Sequence, residues 1–493
     1  MGGFSKSNRL MLGVMLTAIF NGCTMGFDQA MMGSVNALDQ YTEYFSLSSD
    51  MIGLNVAIIN AGSIIGGLFA GQFSDAKGRK WGIALSAMFT ALGVAIQASA
   101  VHQAMFCVGR FLLGVAITVN ATAAPIWVME MAHPKHKGWM GGLYMASWYL
   151  AATVASGLSL RTSEIPNTWA WRTLSLAQAV PSLLAISILP FMPESPRWLV
   201  YHGKYDEAYQ VLKDVHSNGS DSELIAAEFK EIHDTINFEK ENNGTWRALI
   251  APKSNARRFI LVVLVNIFAQ IVGANTVSLF ISEVLDVAGV TETRTQLTIN
   301  LGMNVWNLAC AVVGSFLADA VGRKAMLLWA TVSMTLFLSL MAVLSAVFGP
   351  ESNNQSGKIA NVAIAFLLLG SYSIAWTPLT YTYPVEVLNY SQRAKGVALG
   401  HSICFVIGFI NQYTTPIAIS EISWKYYIIN ACWNVVVIGL IWSLFVETKG
   451  MTLEEVDEIF DGVVHTEGVR IGTGDHLDKT TSPKGTDDKK IPL

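Results

Sequence analysis

Asp75-Ala-Lys-Gly-Arg-Lys80 and Asp319-Ala-Val-Gly-Arg-Lys324 are near-copies of one six-residue motif, 244 positions apart. Each copy follows a stretch of about 20 mostly apolar residues, which is long enough to cross a bilayer as a helix. Glycine within the polar motif permits a tight turn between two such helices. The two copies therefore predict a membrane protein made of two related halves.

Two further pairs of polar motifs repeat in the same order. Glu130 and Glu386 each precede a basic residue by seven positions, at an offset of 256. Pro-Glu-Ser at 193–195 recurs as Val-Glu-Thr at 446–448, at an offset of 253. Three motifs at nearly constant offset indicate a parallel repeat of six spans, the pattern of carriers that rock two halves about a central site.

The apolar windows define the organisation of the chain. An all-α membrane protein is predicted, with twelve transmembrane helices in two pseudo-symmetric six-helix bundles. The twelve spans are 10–32, 51–73, 81–101, 104–128, 139–160, 171–191, 257–281, 295–317, 325–348, 359–382, 397–419 and 425–446. The predicted units are a bundle at 1–192, a cytoplasmic helical linker at 193–256, a bundle at 257–446 and a tail at 447–493, largely disordered after about 465.

Short amphipathic helices are predicted outside the bundles. Ser220 and Glu223 have the spacing of a helix capping box, and Thr452 and Glu455 repeat it after the last span. Both pairs precede apolar residues at helical spacing, so these helices are expected to lie against the cytoplasmic side of the bundles.

Composition excludes several classes of function. Of the 493 residues, 52% are apolar and 14% are charged, whereas a soluble chain has about 25% charged residues. The net charge of −4 suggests no nucleic-acid partner. The five cysteines lie in apolar stretches without a Cys-x-x-Cys pair, and no His-Glu-x-x-His or phosphate-loop spacing occurs. We therefore predict neither an enzyme nor a metal site.

Basic residues set the expected orientation. Twenty-six of the 32 lysines and arginines fall in segments that share a side with the two termini, and five fall on the other side. Positive charge is enriched on the cytoplasmic side of membrane proteins, so both termini are expected to be cytoplasmic. Among the Asn-x-Ser/Thr sequons, only Asn354 then faces the side where glycans are added.

The charged motifs are candidates for a cytoplasmic gate. Acidic and basic side chains at matched spacing can pair, and pairs between the halves would hold that side shut. A network of several such pairs could bias a two-state equilibrium; alternatively, the charges only anchor helix ends. The predicted gate residues are Asp75, Arg79, Glu130, Lys137, Glu194, Arg197, Asp319, Arg323, Glu386, Arg393 and Glu447.

These motifs resemble those of the sugar porter family of the major facilitator superfamily. The resemblance runs from about residue 10 to 460 and includes the two Gly-Arg-Lys turns, Gly-Arg-Phe at 109–111, Pro-Glu-Ser-Pro-Arg-Trp at 193–198 and Glu-Thr-Lys-Gly at 447–450. Within the family, the chain looks most like fungal lactose-permease-like and hexose carriers. The resemblance implies two six-helix bundles, a central site and alternating access.

The resemblance also implies a proton site. Asp28 in the first span is costly in the bilayer without a partner or a proton, and Arg110 in the fourth span is its natural partner. In the family, an aspartate paired in this way marks proton-coupled symporters. Asp28 is thus the expected proton carrier and Arg110 its switchable partner, with a fixed structural ion pair as the alternative.

Four residues are candidate solute contacts. Gln270 and Asn275 can line one cavity only if the helix bends between them, which Gly273 permits. Amide groups both donate and accept hydrogen bonds, which suits sugar hydroxyls. By family position, Asn304 adds a further amide and Trp376 an aromatic platform. Each amide could instead make only an interhelical hydrogen bond.

Three functional hypotheses follow. The leading one is proton-coupled symport of a sugar or small oligosaccharide across a plasma membrane by a monomeric carrier, with protons as the coupling ion and no other cofactor. The second is a carrier for a non-sugar metabolite, such as a polyhydroxy acid or glycoside. It is favoured by apolar residues at positions 145, 269, 272 and 279. The third is a nutrient sensor that binds its ligand without transporting it.

Overall fold

The computed structural model describes residues 6–132, 137–216, 223–241, 249–251, 253–348, 352, 354–388, 390–449, 451, 456 and 459–460. The first half contains six membrane spans, the sixth of which is formed by two consecutive helices and a short 3-10 turn at Leu189–Phe191. Its helices are α1 (Lys6–Val35), the short α2 (Asp39–Thr42), α3 (Ser49–Lys77), α4 (Arg79–Ala98), α5 (Gln103–Met131), α6 (Lys137–Thr162), α7 (Trp169–Ala177) and α8 (Ala179–Ile188).

The second half repeats this arrangement. Its seventh span is broken into three helices, and five long helices follow. They are α12 (Lys253–Ile271), α13 (Ala274–Leu279), α14 (Ile281–Val287), α15 (Thr293–Val321), α16 (Arg323–Val347), α17 (Gln355–Val387), α18 (Tyr390–Ile422) and α19 (Lys425–Leu444). Within the described residues, eleven helices are long and apolar enough to cross a membrane, and α6 occupies the position of the fifth span. The prediction of twelve helical spans is confirmed.

The turns at Gly78 and Gly322 show why the motif repeats. Each glycine separates two long helices and has a positive φ, 113° and 110° respectively. A side chain at either position would also collide with a glutamate, because a Cβ on Gly78 would lie 2.3 Å from Glu194 Oε2 and one on Gly322 would lie 2.7 Å from Glu447 Oε2. Only glycine fits both the backbone and the space.

A small helical unit separates the halves. It consists of α9 (Pro196–Tyr201), α10 (Tyr205–His216) and α11 (Glu223–Glu241). Its apolar core consists of Leu199, Val200, Ala208, Leu212, Ile225, Ile232 and Ile236. Lys6 Nζ contacts Asp214 Oδ2 at 2.7 Å, which ties the unit to the start of α1. Ser220, Thr452 and Glu455, the other members of the predicted capping boxes, lie outside the described residues, as does the tail beyond 460.

The outer surface of the bundles is strongly apolar. Phe191, Phe316 and Trp442 are 78%, 77% and 72% exposed, and each lies near an end of a membrane span. Large aromatic side chains at helix ends are typical of the boundary between lipid and water. We call the face that carries the 75–80 and 319–324 turns, together with α9–α11, the terminal face.

The two halves meet through hydrogen bonds in the middle of the spans and toward the opposite face. Asn300 Nδ2 donates to Ser34 Oγ at 3.0 Å, and the hydroxyl groups of Tyr149 and Thr377 lie 2.8 Å apart. On the opposite face itself, Arg294 Nη2 lies 3.6 Å from Glu164 Oε1. The halves are therefore joined on the side away from the termini.

Candidate proton and solute sites

Asp28 and Arg110 form a buried ion pair inside the first half. Arg110 Nη1 lies 2.7 Å from Asp28 Oδ1, and the two side chains are only 2% and 4% exposed. Arg110 Nε also donates to the carbonyl oxygen of Asn55 at 3.2 Å. The other carboxylate oxygen, Asp28 Oδ2, is buried and has no hydrogen-bond partner among the described residues. Arg110 thus binds one oxygen of the Asp28 carboxylate, and the other oxygen is free to accept a proton.

The seventh span is interrupted where the sequence predicted a bend. Gly273 lies between α12 and α13 with φ 98°. The interruption leaves backbone carbonyls without helical partners, and side-chain amides bind them instead: Asn411 Nδ2 donates to Gln270 O at 2.6 Å, and Asn434 Nδ2 donates to Val272 O at 3.1 Å. Breaks within a membrane are tolerated where neighbouring groups satisfy the backbone in this way.

The break brings Gln270 and Asn275 together. Asn275 Nδ2 donates to Gln270 Oε1 at 2.7 Å, and Gln270 Nε2 contacts Cys404 Sγ at 3.0 Å. Both residues are only partly buried. Their polar groups can therefore exchange partners with a solute at modest cost, because each amide has donors and acceptors to spare.

Asn304 and Trp376 occupy different surroundings. Asn304 Nδ2 donates to Ser156 Oγ at 2.9 Å, so this amide links the second half to α6 in the first. Trp376 is completely buried, and its Nε1 has no hydrogen-bond partner among the described residues. In this conformation its ring presents no face to a solute. Its role as an aromatic platform stays a prediction.

The structure adds residues that the sequence interpretation missed. Tyr381, five residues after Trp376, is 45% exposed, and its ring centroid lies 5.4 Å from that of His401. Tyr381 also lies near Tyr149 and near Cys404, the residue that Gln270 contacts. Asn60 and Gln412 contact each other across the two halves. Their polarity inside apolar spans was a signal for function, but the sequence did not show which helix faces meet.

The first charge cluster, formed by Arg79, Glu130, Glu194 and Ser195, surrounds the start of α4. Glu194 Oε1 accepts from the backbone N–H of Arg79 at 3.1 Å, and Glu194 Oε2 accepts from that of Lys80 at 3.2 Å. Arg79 Nε lies 3.6 Å from Glu130 Oε2, and Ser195 Oγ donates to the same oxygen. Burial raises the pKa of Glu194, while the surrounding backbone donors and Lys80 oppose that rise.

The second charge cluster, formed by Arg323, Glu386, Glu447 and Thr448, repeats this arrangement at the start of α16. Glu447 Oε1 accepts from the backbone N–H of Arg323 at 2.7 Å, and Thr448 Oγ1 donates to Glu386 Oε2 at 2.6 Å. Arg323 Nη2 lies 2.9 Å from Glu386 Oε1. Each glutamate after a half's last span thus caps a helix N-terminus, where carboxylates are favoured.

The expected pairing of charges between the halves is not what the described residues show. The contacts of each charge cluster stay within one half. The glutamate that follows the last span of a half lies beside the turn of that same half, at 75–80 or 319–324. Arg79 also contacts Asp75 one turn earlier, and Arg197 is close enough to Glu130 to interact electrostatically. The side chains of Lys137, Asp319 and Arg393 lie outside the described part of the structure.

Asn354 is exposed at the start of α17, on the opposite face. Its side-chain oxygen accepts from the backbone N–H of Gly357 at 3.2 Å. Residues 354–356, which form the predicted sequon, are all exposed, so the sequon is accessible at the surface.

Comparison with known proteins identifies the family. Residues 14–460 match the profile of the family described as "Sugar (and other) transporter". The chain belongs to that family. This membership confirms the resemblance noted from the sequence and establishes that the chain is a membrane transporter rather than an enzyme.

The individual relatives of this sugar transporter family member are also transporters. It is 29% identical to the high-affinity glucose transporter of Kluyveromyces lactis over 461 residues, covering 90% of this chain and 84% of that protein. It is 27% identical to the MFS-type transporter oryC of Aspergillus oryzae, covering 88% and 82%. Among solved structures, the proton:xylose symporter XylE of E. coli, bound to 6-bromo-6-deoxy-D-glucose, matches with a TM-score of 0.74 at 21% identity. That match covers 92% of this chain and all of XylE.

Proposed function

We propose that this chain carries a sugar or small oligosaccharide together with a proton across the plasma membrane by alternating access. The observation that carries the proposal is the Asp28–Arg110 pair in a chain of the sugar transporter family. A carboxylate held by one oxygen at 2.7 Å, with its other oxygen buried and unpartnered, has a defined place for one proton. Protonation would weaken its attraction to Arg110 and free the arginine to move. Protons are thus the proposed coupling ion, and we propose no other cofactor.

The proposed solute site is the amide cluster at the break in the seventh span. Gln270 and Asn275 present donors and acceptors at the interface between the halves, and Tyr381 presents an exposed ring nearby. A carbohydrate uses both kinds of surface, because its hydroxyl groups pair with amides and its C–H faces pack on aromatic rings. The glucose transporter of Kluyveromyces lactis and the sugar-bound XylE support this class of solute.

Alternating access fits the way in which the halves are joined. Hydrogen bonds such as Asn304 to Ser156 connect the halves between the middle and the opposite face. The charge clusters of the terminal face instead hold each half together as a unit. We infer that the halves rock as rigid bodies, and that the inter-half bonds break when the opposite face opens.

The basic residues support a cytoplasmic terminal face, since 26 of the 32 lysines and arginines belong to its side in the sequence. Trp442 and Phe316, exposed near the ends of their spans, would lie at the lipid boundary of that face. We propose a monomeric carrier in the plasma membrane, with both termini inside the cell.

Uptake into sealed vesicles tests the proposal. The purified protein is reconstituted, and uptake of radiolabelled D-glucose, D-xylose and lactose is followed with and without an inward proton gradient. We expect at least one sugar to accumulate above its external concentration only when the gradient is present. Uptake that merely equilibrates would exclude proton coupling. Saturable binding without uptake would instead indicate a sensor.

A further inference from the structure

The amides of Asn60 in α3 and Gln412 in α18 form a buried contact between the two halves. Asn60 Nδ2 donates to Gln412 Oε1 at 2.7 Å. Both residues are only 7% exposed. A hydrogen bond between two amides uses one donor and one acceptor and leaves each side chain with a second polar group.

Those second groups are unoccupied and reachable. Asn60 Oδ1 and Gln412 Nε2 make no hydrogen bond to any described residue. Both atoms are partly exposed. They therefore retain access to water although their residues are buried. One free acceptor and one free donor therefore lie at the junction of the halves.

Gly408 connects this pair to the amides of the seventh span. A Cβ built on Gly408 would lie 3.3 Å from Asn60 Oδ1 and 3.3 Å from Gln270 Oε1. The two oxygens thus flank the same spot on α18. Gln270 in turn accepts from Asn275 at 2.7 Å. Amides from α3, α12, α13 and α18 converge around a residue without a side chain.

We propose that Asn60 and Gln412 are solute-binding residues that complete the amide site, one contributed by each half. Adjacent hydroxyl groups of a carbohydrate would pair with Asn60 Oδ1 and Gln412 Nε2, next to Gln270 Oε1 on the other side of Gly408. This inference rests on the proposed carbohydrate transport and names further residues of the same site.

Contribution from both halves has a consequence for the transport cycle. A ligand shifts a conformational equilibrium only through its different affinity for the two states. A solute held by Asn60 and Gln412 together binds more tightly when the halves are closed around it than when they separate. The pair would thus make closure depend on the solute.

Binding to the purified protein in lipid nanodiscs tests the assignment, with D-glucose, D-xylose and lactose as probes. Asn60→Leu and Gln412→Met remove the polar groups but keep approximately the side-chain volume, so packing between the halves is retained. We expect each variant to bind the responsive sugar about tenfold more weakly, since one hydrogen bond to the solute is lost.

A matched control is Asn361→Leu. Asn361 is a buried amide in α17 that donates to Ser345 Oγ at 2.7 Å within the second half. This variant should lower thermal stability without changing sugar affinity. If Asn60 and Gln412 were only a structural contact, their variants would behave like this control, and that result would overturn the assignment.

The outcomes separate this inference from the proposed function. If the wild-type protein binds sugar and both variants bind it equally well, the assignment of Asn60 and Gln412 is wrong while carbohydrate transport stands. If the wild-type protein binds and takes up none of the probe sugars, the proposed function fails and this inference fails with it. A Gly408→Ala variant provides a second readout, because its Cβ would narrow the space between the two amide oxygens and should also weaken binding.

Discussion

Arg323 makes a bidentate contact with the carboxylate of Glu386: Nη2 lies 2.9 Å from Oε1, and Nε lies 3.1 Å from Oε2. The equivalent Arg79 is 3.6 Å from Glu130 and uses another nitrogen to contact Asp75. The two halves thus repeat the same cluster, but the arginine–glutamate contact is stronger in the second half, because a bidentate contact is the stronger geometry.

This difference predicts unequal effects of replacing arginine by lysine. Lysine keeps the positive charge but cannot make a bidentate contact with a carboxylate. Arg323→Lys should destabilise the protein by about 1–2 kcal/mol, and Arg79→Lys by less. Thermal unfolding in nanodiscs measures both variants side by side. Equal effects would show that charge alone matters in the clusters.

Gly78 and Gly322 should not tolerate a side chain. Both have φ near 110°, and a Cβ at either would collide with Glu194 or Glu447. Strain in this backbone region costs about 1–3 kcal/mol, so Gly78→Ala and Gly322→Ala should lower the unfolding temperature. Gly71→Ala is the control, because a Cβ there meets nothing within 4 Å. A similar loss in Gly71→Ala would argue against the steric explanation.

Substitutions of Trp376 and Tyr381 should have different effects, one on packing and the other on solute binding. Trp376 is completely buried and Tyr381 is 45% exposed. Trp376→Leu should destabilise the fold by about 2–3 kcal/mol, somewhat less than truncation of a buried tryptophan to alanine. Tyr381→Leu should weaken sugar binding and leave the unfolding temperature nearly unchanged. Sugar titrations and thermal unfolding on the same samples would distinguish the two roles, and the reverse pattern would support Trp376 as the platform.

Glycosylation tests the orientation. Asn354 is exposed on the opposite face. The sequon at Asn389 falls in the sequence between the predicted spans 359–382 and 397–419, on the side expected to be cytoplasmic. In a eukaryotic host, removal of N-glycans should increase the gel mobility of the wild-type protein but not of Asn354→Gln. Asn389→Gln should retain the wild-type shift. A shift that disappears only with Asn389→Gln would invert the proposed topology.

The sequence was sufficient for features that depend on composition and spacing. The twelve spans follow from apolar length, and the 75–80 and 319–324 turns follow from the repeat. The break at Gly273 was also predictable, because Gln270 and Asn275 point to one side only if the helix bends between them. Each of these features is local or repeats along the chain.

Features that depend on helix rotation were not predictable in this way. Asn60 and Gln412 are 352 positions apart, and their contact at 2.7 Å depends on how α3 and α18 face each other. Which aromatic ring of α17 faces a solute likewise depends on helix rotation, because Trp376 and Tyr381 lie on different sides of that helix. The gate glutamates were placed on the right face, but their partners depend on the path of the chain after each sixth span.

Asp28→Asn should uncouple transport from the proton gradient. Asparagine retains a hydrogen-bonding oxygen for Arg110 but cannot exchange a proton at physiological pH. A one-proton symporter can concentrate its solute about tenfold for each unit of pH difference, and this accumulation should vanish in the variant. Exchange of labelled for unlabelled sugar should continue, because exchange requires rocking of the halves but no net proton movement.

Asn55→Ala is a useful comparison for that measurement. Asn55 donates to Tyr41 Oη at 2.8 Å, and only its backbone carbonyl oxygen contacts Arg110. Its side chain can therefore be removed without touching the Asp28 carboxylate. Gradient-driven accumulation should persist in Asn55→Ala, at a rate that reflects any loss of stability. Accumulation that survives in Asp28→Asn would show that the proton binds elsewhere and that the buried pair is only structural.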